Sequence, residues 1–289
     1  MQYNKHLNTI DITDRGLAYG DGLFETIALI NGQLHHWKLH WQRMINGCKK
    51  LALNLPDENQ LLEQIQQQLN TQNILSNGVI KLILTRGSGG RGYLFPENQD
   101  ENLIISYHQW PERNIEDYTN GINTIVCKTA LAKQPALSGI KHLNRLEQVL
   151  ARNEFDNEKY QDGVMLSHAE QGSPFVIEGC SSNLFFVLNS KLCTPKIDNC
   201  GILGTMRQAI IDFGLENPLF LVQEDNFELQ QLEQATEVFF TNSIYGILPV
   251  ASISYRTKQQ LQQWFYNERT IIRSLANQFN TQLQRPFEL

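Results

Sequence analysis

The run LFETIALI at residues 23–30 ends on Asn31-Gly32, a pair that tolerates positive φ, and the apolar positions that follow fall three and four apart. That order specifies a strand, a tight turn and then an amphipathic helix over 37–53, with Trp37, Trp41, Met44, Cys48 and Leu51 on one face. The same switching between strand-like and helix-like segments continues along the chain. A helix is expected over 58–69 and strands over 79–85 and 103–107. The polar, turn-rich stretch 111–121 reads as a linker. Beyond it, strands are expected over 122–127, 163–167, 183–188 and 237–241. Helices are expected over 143–158, 206–213, 228–231 and, as the last long element, 257–279. Strands alternating with helices in both halves imply two α/β or α+β domains meeting at a cleft, residues 1–110 and 121–289 joined by 111–120. A length of 289 residues agrees, since one core seldom keeps growing to that size.

Several function classes are excluded before any site is considered. A net charge of −6 gives no attraction to nucleic acid or to an anionic membrane surface, although a local arginine cluster can still serve a small anion. The five cysteines are odd in number and contain no Cys-x-x-Cys pair, which argues against a disulfide framework or a structural zinc site. The N-terminal residues show no apolar signal core and no run has membrane-spanning length, so a reducing cytoplasm is the expected location. His35, His36 and His40 lack a partner at ligand spacing, so no metal site is expected. Ser181 and Ser182 lack a nucleophile-elbow pattern. Gly87 to Gly92 satisfies G-x-G-x-x-G, but YLFPENQDEN follows, with Pro96 and turn formers where a dinucleotide site needs a helix. The loop is therefore either a flexible hairpin or a substrate-facing loop presenting Arg86 and Arg91.

The chemistry concentrates in SGIKHLNRLEQVLAR at 138–152 and VIEGCSSNLFF at 176–186. Lys141, one of twelve lysines, stands at the mouth of an apolar helix containing Leu143, Leu146, Val149 and Leu150. Partial burial and a neighbouring cation such as Arg145 favour its free amine. Glu178 stands where a strand is about to begin, with Gly179 beside it. An amine able to form a Schiff base and a lone carboxylate able to hold a ring nitrogen protonated are what pyridoxal 5′-phosphate requires. Arg43 is either a surface arginine or a bidentate phosphate clamp. The glycine-rich GILGTMR at 201–207 precedes a helix whose first amides suit an anion. Thr241-Asn242-Ser243, at a strand end, add hydroxyl and amide donors.

Taken together, DRGLAYGDGLFET at 14–26, LHWQRM at 39–44, GIKHLNRLEQV at 139–149, EGCSSNLFF at 178–186, GTMRQ at 204–208 and TNSIYGILPV at 241–250 resemble the fold-type IV pyridoxal-phosphate enzymes. That group holds branched-chain aminotransferases, D-amino-acid aminotransferases and 4-amino-4-deoxychorismate lyases. TRGSGGRGY at 85–93 and GIKHLNRLEQVL at 139–150 look most like the lyase branch. The resemblance implies a small N-terminal α/β domain, a larger C-terminal domain with a barrel-like sheet, and a cofactor held between them near a homodimer interface. It implies that Lys141 carries the Schiff base and serves as acid and base, and that Glu178 pairs with the pyridinium nitrogen. Arg43 would bind the phosphate with the amides of Thr205 and Met206 and with Asn242 and Ser243. Arg91 and Tyr93 would meet the substrate. The implied reaction converts 4-amino-4-deoxychorismate to 4-aminobenzoate and pyruvate, in folate synthesis. Met206 departs from the threonine common in the aminotransferases, which leaves only its amide for the phosphate and favours the lyase branch. The alternatives are an aminotransferase of the same fold and a catalytically silent protein that stores or senses the cofactor.

Overall fold

The computed structural model describes residues 10–71, 77–169, 172–257 and 260–283, so the reading of the first nine residues lies outside it. The chain divides into two units. One holds the described residues up to Pro111 together with Ile140–Arg145; the other holds Glu112–Gly139 and the residues from Leu146 onward. No helix among the described residues is long and apolar enough to cross a membrane.

The first unit begins with α1 (Arg15–Tyr19), capped by the Asp14 carboxylate, which accepts the Gly16 N–H. Its sheet contains β1 (Gly22–Ile30), β2 (Gln33–Leu34), β3 (Gly78–Thr85) and β4 (Asn102–Gln109), antiparallel in the order β2-β1-β3-β4. Asn31 and Gly32 carry φ of 50° and 75°, as a tight reversal into β2 requires. Two helices follow β2, α2 (Trp37–Leu51) and α3 (Glu58–Thr71). The buried face of α2 is His40, Arg43, Met44, Gly47 and Cys48, a rotation from the expected stripe. Gly47 explains it: a Cβ there would stand 2.6 Å from Leu23 Cδ1, so the helix lies close to β1 along its glycine side. Trp37 and Trp41 are half-buried and stack on each other, ring centroids 5.7 Å apart, while Trp37 Nε1 donates to Glu58 at 2.7 Å.

The second unit begins with α4 (Ile115–Thr119), inside the stretch read as a linker. Tyr118 is buried there and its hydroxyl donates to the Tyr245 carbonyl at 3.2 Å, so one aromatic anchor turns a polar stretch into packed structure. In chain order come β5 (Ile122–Val126), α5 (Leu146–Arg152), β6 (Asp162–Leu166), β7 (Phe175–Gly179), β8 (Asn183–Leu188), β9 (Lys191–Pro195) and α6 (Thr205–Glu216). They are followed by β10 (Val222–Asp225), β11 (Phe227–Glu228), α7 (Leu229–Glu233), β12 (Glu237–Asn242), β13 (Gly246–Arg256), β14 (Leu261–Phe265) and α8 (Thr270–Phe279). Strands β8, β12, β13, β5, β6 and β7 are neighbours in that order, and β7 pairs back onto β8 through Glu178 and Asn183. The barrel-like sheet is thus a closed six-stranded barrel, parallel at β13–β5–β6 and antiparallel elsewhere. Closure leaves those six strands no open edge. An apolar cluster of this unit includes Leu184, Phe186, Phe227, Val238, Phe240, Leu248 and Val250, with Phe186 meeting Phe227 edge-on at 4.8 Å.

Two expected helices are corrected. The helix over 143–158 is only Leu146–Arg152, because the residues before it bond to β1 instead: Phe24 N–H donates to the Lys141 carbonyl at 2.9 Å and Leu143 N–H to Gly22 at 3.0 Å. A backbone paired in that way cannot also close helical turns. The helix over 257–279 is β14 followed by α8. Residues 261–265 pair with 252–256 of β13, and Trp264 packs on Tyr255 at 6.1 Å. The Glu237 carboxylate accepts the amides of Ile271 and Ile272 at 3.0 and 2.9 Å, which sets where α8 begins. Residues 258 and 259 of that expectation lie outside the described ones.

Candidate active site

In the first unit, the carbonyl of Lys141 is held by Phe24 and the isolated bridge Leu23–His142 completes the pairing. The lysine therefore belongs to the first unit, not to the second domain in which the sequence reading placed it. Its Nζ lies 4.4 Å from the centre of the Phe24 ring, and the residue is half-buried. Arg145 sets its guanidinium against the His142 ring; burial, then that charge, push the His142 pKa down to about 4.

Arg43 is buried rather than on the surface. Its Nε donates to Glu25 Oε1 at 2.8 Å and its Nη2 to Oε2 at 2.6 Å, a fork on one carboxylate. His40 Nδ1 lies 2.6 Å from the same Oε2. Burial alone would raise the pKa of Glu25, but the charge and hydrogen bonds of Arg43, with His40 assisting, hold it at about 2. Burial lowers the pKa of His40; Glu25 opposes that shift, while Arg43 and Lys141 add to it. With Glu25 ionised, Nδ1 of a neutral His40 is the donor. Neither Glu25 nor this use of His40 was anticipated from the sequence. The available signal was a carboxylate in the strand phase of Leu23, Ile27 and Leu29, all of them buried.

The loop after β3 contains no helix among residues 86–101, which removes the dinucleotide motif structurally. Arg86 is not presented to substrate. It is 1% exposed, and it donates to both Asp21 oxygens, to the carbonyls of Leu51 and Ala52, and to Gln99 Oε1. All five donors of its guanidinium are thereby used, closing the C-terminus of α2. Arg15 bonds the same Asp21 and also the Gly89 and Gly92 carbonyls, so it ties down the glycine-rich loop. Arg91 is exposed on that loop, and Tyr93 is 86% exposed with its ring 5.5 Å from that of Tyr19.

In the second unit, Glu178 is the penultimate residue of β7 rather than one about to begin a strand, paired with Met165 on β6 and Asn183 on β8. It is 3% exposed, and its Oε2 accepts the Ile202 N–H at 2.9 Å. The loop carrying Ile202 is held by Gly139, whose N–H donates to Gly201 at 2.9 Å and whose carbonyl accepts Leu203 N–H at 3.1 Å. Lys141 is therefore two residues along the chain from a backbone pairing with the loop that secures Glu178. Gly201 has φ of 85°, and a Cβ there would meet Ile177 Cγ2 at 2.7 Å and Glu178 Oε2 at 3.3 Å. At the N-terminus of α6, Gly204 provides no capping side chain, and a Cβ there would fall 1.9 Å from Asn183 Oδ1. Thr205 and Met206, the first helical residues, are buried. Asn242 donates to the Ser181 carbonyl at 3.1 Å and accepts the amides of Ile244 and Tyr245, so its side chain shapes the turn that carries Ser243.

Asp162 is another buried acid that the sequence did not disclose. It accepts Ser182 Oγ at 2.8 Å and the amides of Gly163 and Cys180 at 2.8 and 3.0 Å. Burial pushes its pKa up, and those neutral donors, with a smaller contribution from the charge of Arg152, only partly offset the shift. The Ser182 hydroxyl is thereby engaged in holding the 179–182 turn.

The family model "Amino-transferase class IV" matches residues 22–253. An aminodeoxychorismate lyase from Vibrio harveyi is 36% identical over 245 residues, covering 85% of this chain and 88% of that protein. A D-alanine aminotransferase from Listeria monocytogenes is 29% identical over 250 residues, covering 85% and 82%. The crystal structure of 4-amino-4-deoxychorismate lyase from Pseudomonas aeruginosa superposes with a TM-score of 0.84 at 36% identity, covering 94% of this chain and 95% of that one.

Proposed function

The chain belongs to the amino-transferase class IV family, and we propose that within it this protein is a pyridoxal 5′-phosphate-dependent lyase that converts 4-amino-4-deoxychorismate to 4-aminobenzoate and pyruvate, a step toward folate. The observation that carries this choice is the lead in identity of the lyase relatives over the D-alanine aminotransferases.

The residues present fit the cofactor. A half-buried primary amine at Lys141, a buried carboxylate at Glu178, an arginine at Arg43 and a helix N-terminus with glycine at its cap are the donors that a phosphorylated pyridine aldehyde calls for. Lys141 would hold the aldehyde. Glu178, fixed by the Ile202 amide, would keep the ring nitrogen protonated. Arg43, the amides of Thr205 and Met206, and Asn242 with Ser243 would bind the phosphate. When bound, the cofactor supplies an electron sink for the carbon that carries the substrate amine.

The Lys141 amine would serve as the base that takes the proton from the carbon bearing the substrate amine. The bond from the ring to the enolpyruvyl oxygen then breaks, the ring becomes aromatic, and the proton count balances when the departing three-carbon fragment is protonated to pyruvate. Because aromatisation drives the elimination, the protein's main task is to orient the breaking bond. Arg91 and Tyr93 meet the substrate carboxylates from the glycine-rich loop. We assign a homodimer in the cytoplasm, the dimer being supported by exposed apolar side chains such as Leu146, 75% exposed, with Val149, Leu150 and Leu94.

Enzymatically generated aminodeoxychorismate added to the cofactor-loaded protein is expected to yield 4-aminobenzoate and pyruvate in equal amounts, and Lys141→Ala to abolish both. Undiminished turnover in that variant would sink the scheme. Rapid conversion of the cofactor to its amine form by D-alanine, without pyruvate from the chorismate substrate, would instead identify an aminotransferase.

A further inference from the structure

Two features of β1 bear on the same ligand. The backbone of Phe24 anchors Lys141, and the next residue, Glu25, takes the guanidinium of Arg43 in a two-point fork. Successive side chains of a strand point to opposite faces, so one short piece of rigid backbone holds Lys141 through its in-plane Phe24 N–H, sets the Phe24 ring beside the amine on one face and sets the carboxylate that takes Arg43 on the other. Phe24 also places its ring 4.4 Å from Lys141 Nζ. The aldehyde and the methylene arm that bears the phosphate sit on adjacent carbons of the cofactor's rigid ring, so the groups that hold them must keep a narrow range of separations. A free arginine side chain turns about several bonds and cannot do so. A fork on a buried carboxylate fixes both the position and the plane of the guanidinium.

We propose that Glu25 is a positioning residue for the cofactor phosphate, acting through Arg43, and that β1 sets the spacing between Arg43 and Lys141. This rests on the cofactor assignment above. His40 adds a third contact to the carboxylate, Nδ1 lying 2.6 Å from Glu25 Oε2, which restrains its orientation further. Lysine in place of Arg43 keeps the charge and loses the fork.

The test titrates apo-protein with pyridoxal 5′-phosphate and, separately, with pyridoxal, which has the aldehyde and no phosphate. The readouts are the absorbance of the lysine adduct and the mass trapped by borohydride. Glu25→Gln and Arg43→Lys are each expected to weaken the phosphate ester about 10-fold or more, in line with losing the partner that orients a ligand, while pyridoxal affinity stays within about twofold. Glu25→Asp, which keeps the carboxylate and shifts it, is expected to fall between and serves if Glu25→Gln does not fold. Unchanged affinity for the phosphate ester overturns the proposal, and so does an equal loss for both ligands, which would mark Glu25 as support for the strand alone. Wild-type protein that forms no adduct with either ligand overturns the cofactor assignment itself.

Discussion

Glu25 in the first unit and Asp162 in the second are both hidden from water, yet they titrate in opposite directions. Glu25 faces a guanidinium through two hydrogen bonds, and the opposite charge more than offsets desolvation. Asp162 accepts from a hydroxyl and two backbone amides, and the charge of Arg152 acts on it more weakly than those hydrogen bonds and without a hydrogen bond of its own, so desolvation prevails. The difference shows that hydrogen-bond saturation and charge compensation are separate requirements of a buried acid. The first unit uses charge to hold an arginine. The second uses neutral donors to hold the turn beyond Glu178.

Removing the charge partner should expose the contrast most strongly. Arg43→Met strands an ionised Glu25 and is expected to cost about 3–5 kcal/mol in urea unfolding. Acid should separate the two carboxylates next. The pKa of Glu25 is depressed in the folded state, so the stability it contributes is present above its ordinary 4.5 and is lost as pH falls toward about 2. The pKa of Asp162 is raised, so its protonation favours the folded state as pH falls through its shifted value and on to 3.8. Glu25→Gln should therefore flatten the acid limb of a stability–pH curve and Asp162→Asn should steepen it; the reverse pattern would refute the contrast. Gly201→Ala, which forces a side chain into a φ of 85° against Ile177 and Glu178, is expected to cost about 1–3 kcal/mol and to weaken pyridoxal 5′-phosphate binding. Asp162→Asn at neutral pH should have the smallest effect, about 1 kcal/mol or less, since an amide oxygen still accepts both backbone N–H groups. A cost equal to that of Arg43→Met would erase the distinction between the two sites.

Much of the molecule was legible because its signals are local. The Asn31-Gly32 turn, the periods of β1, α2, α3 and β3, and the glycine-rich approach to α6 all follow from short-range sterics and patterning. Lys141 and Glu178 stood out by residue type beside glycine. The two misread helices have one cause. The helix expected from 143 starts only at Leu146, because residues 141–143 bond to β1, and residues 261–265, within the other expected helix, bond to β13. The phase that put Trp37 and Trp41 inward was overridden by the close approach that Gly47 permits to Leu23.

The sequence by itself determined the alternating strand and helix segments, the candidate lysine and carboxylate Lys141 and Glu178, and the family to which those motifs belong, because each is written in neighbouring residues. Only the tertiary structure decided that the second sheet closes into a barrel, that Lys141 is anchored on β1, that Arg86 serves as a buried clasp, and that Glu25 grips Arg43. Each of these depends on a partner outside the local pattern, and a backbone or guanidinium donor bonds to whichever acceptor the fold brings within reach.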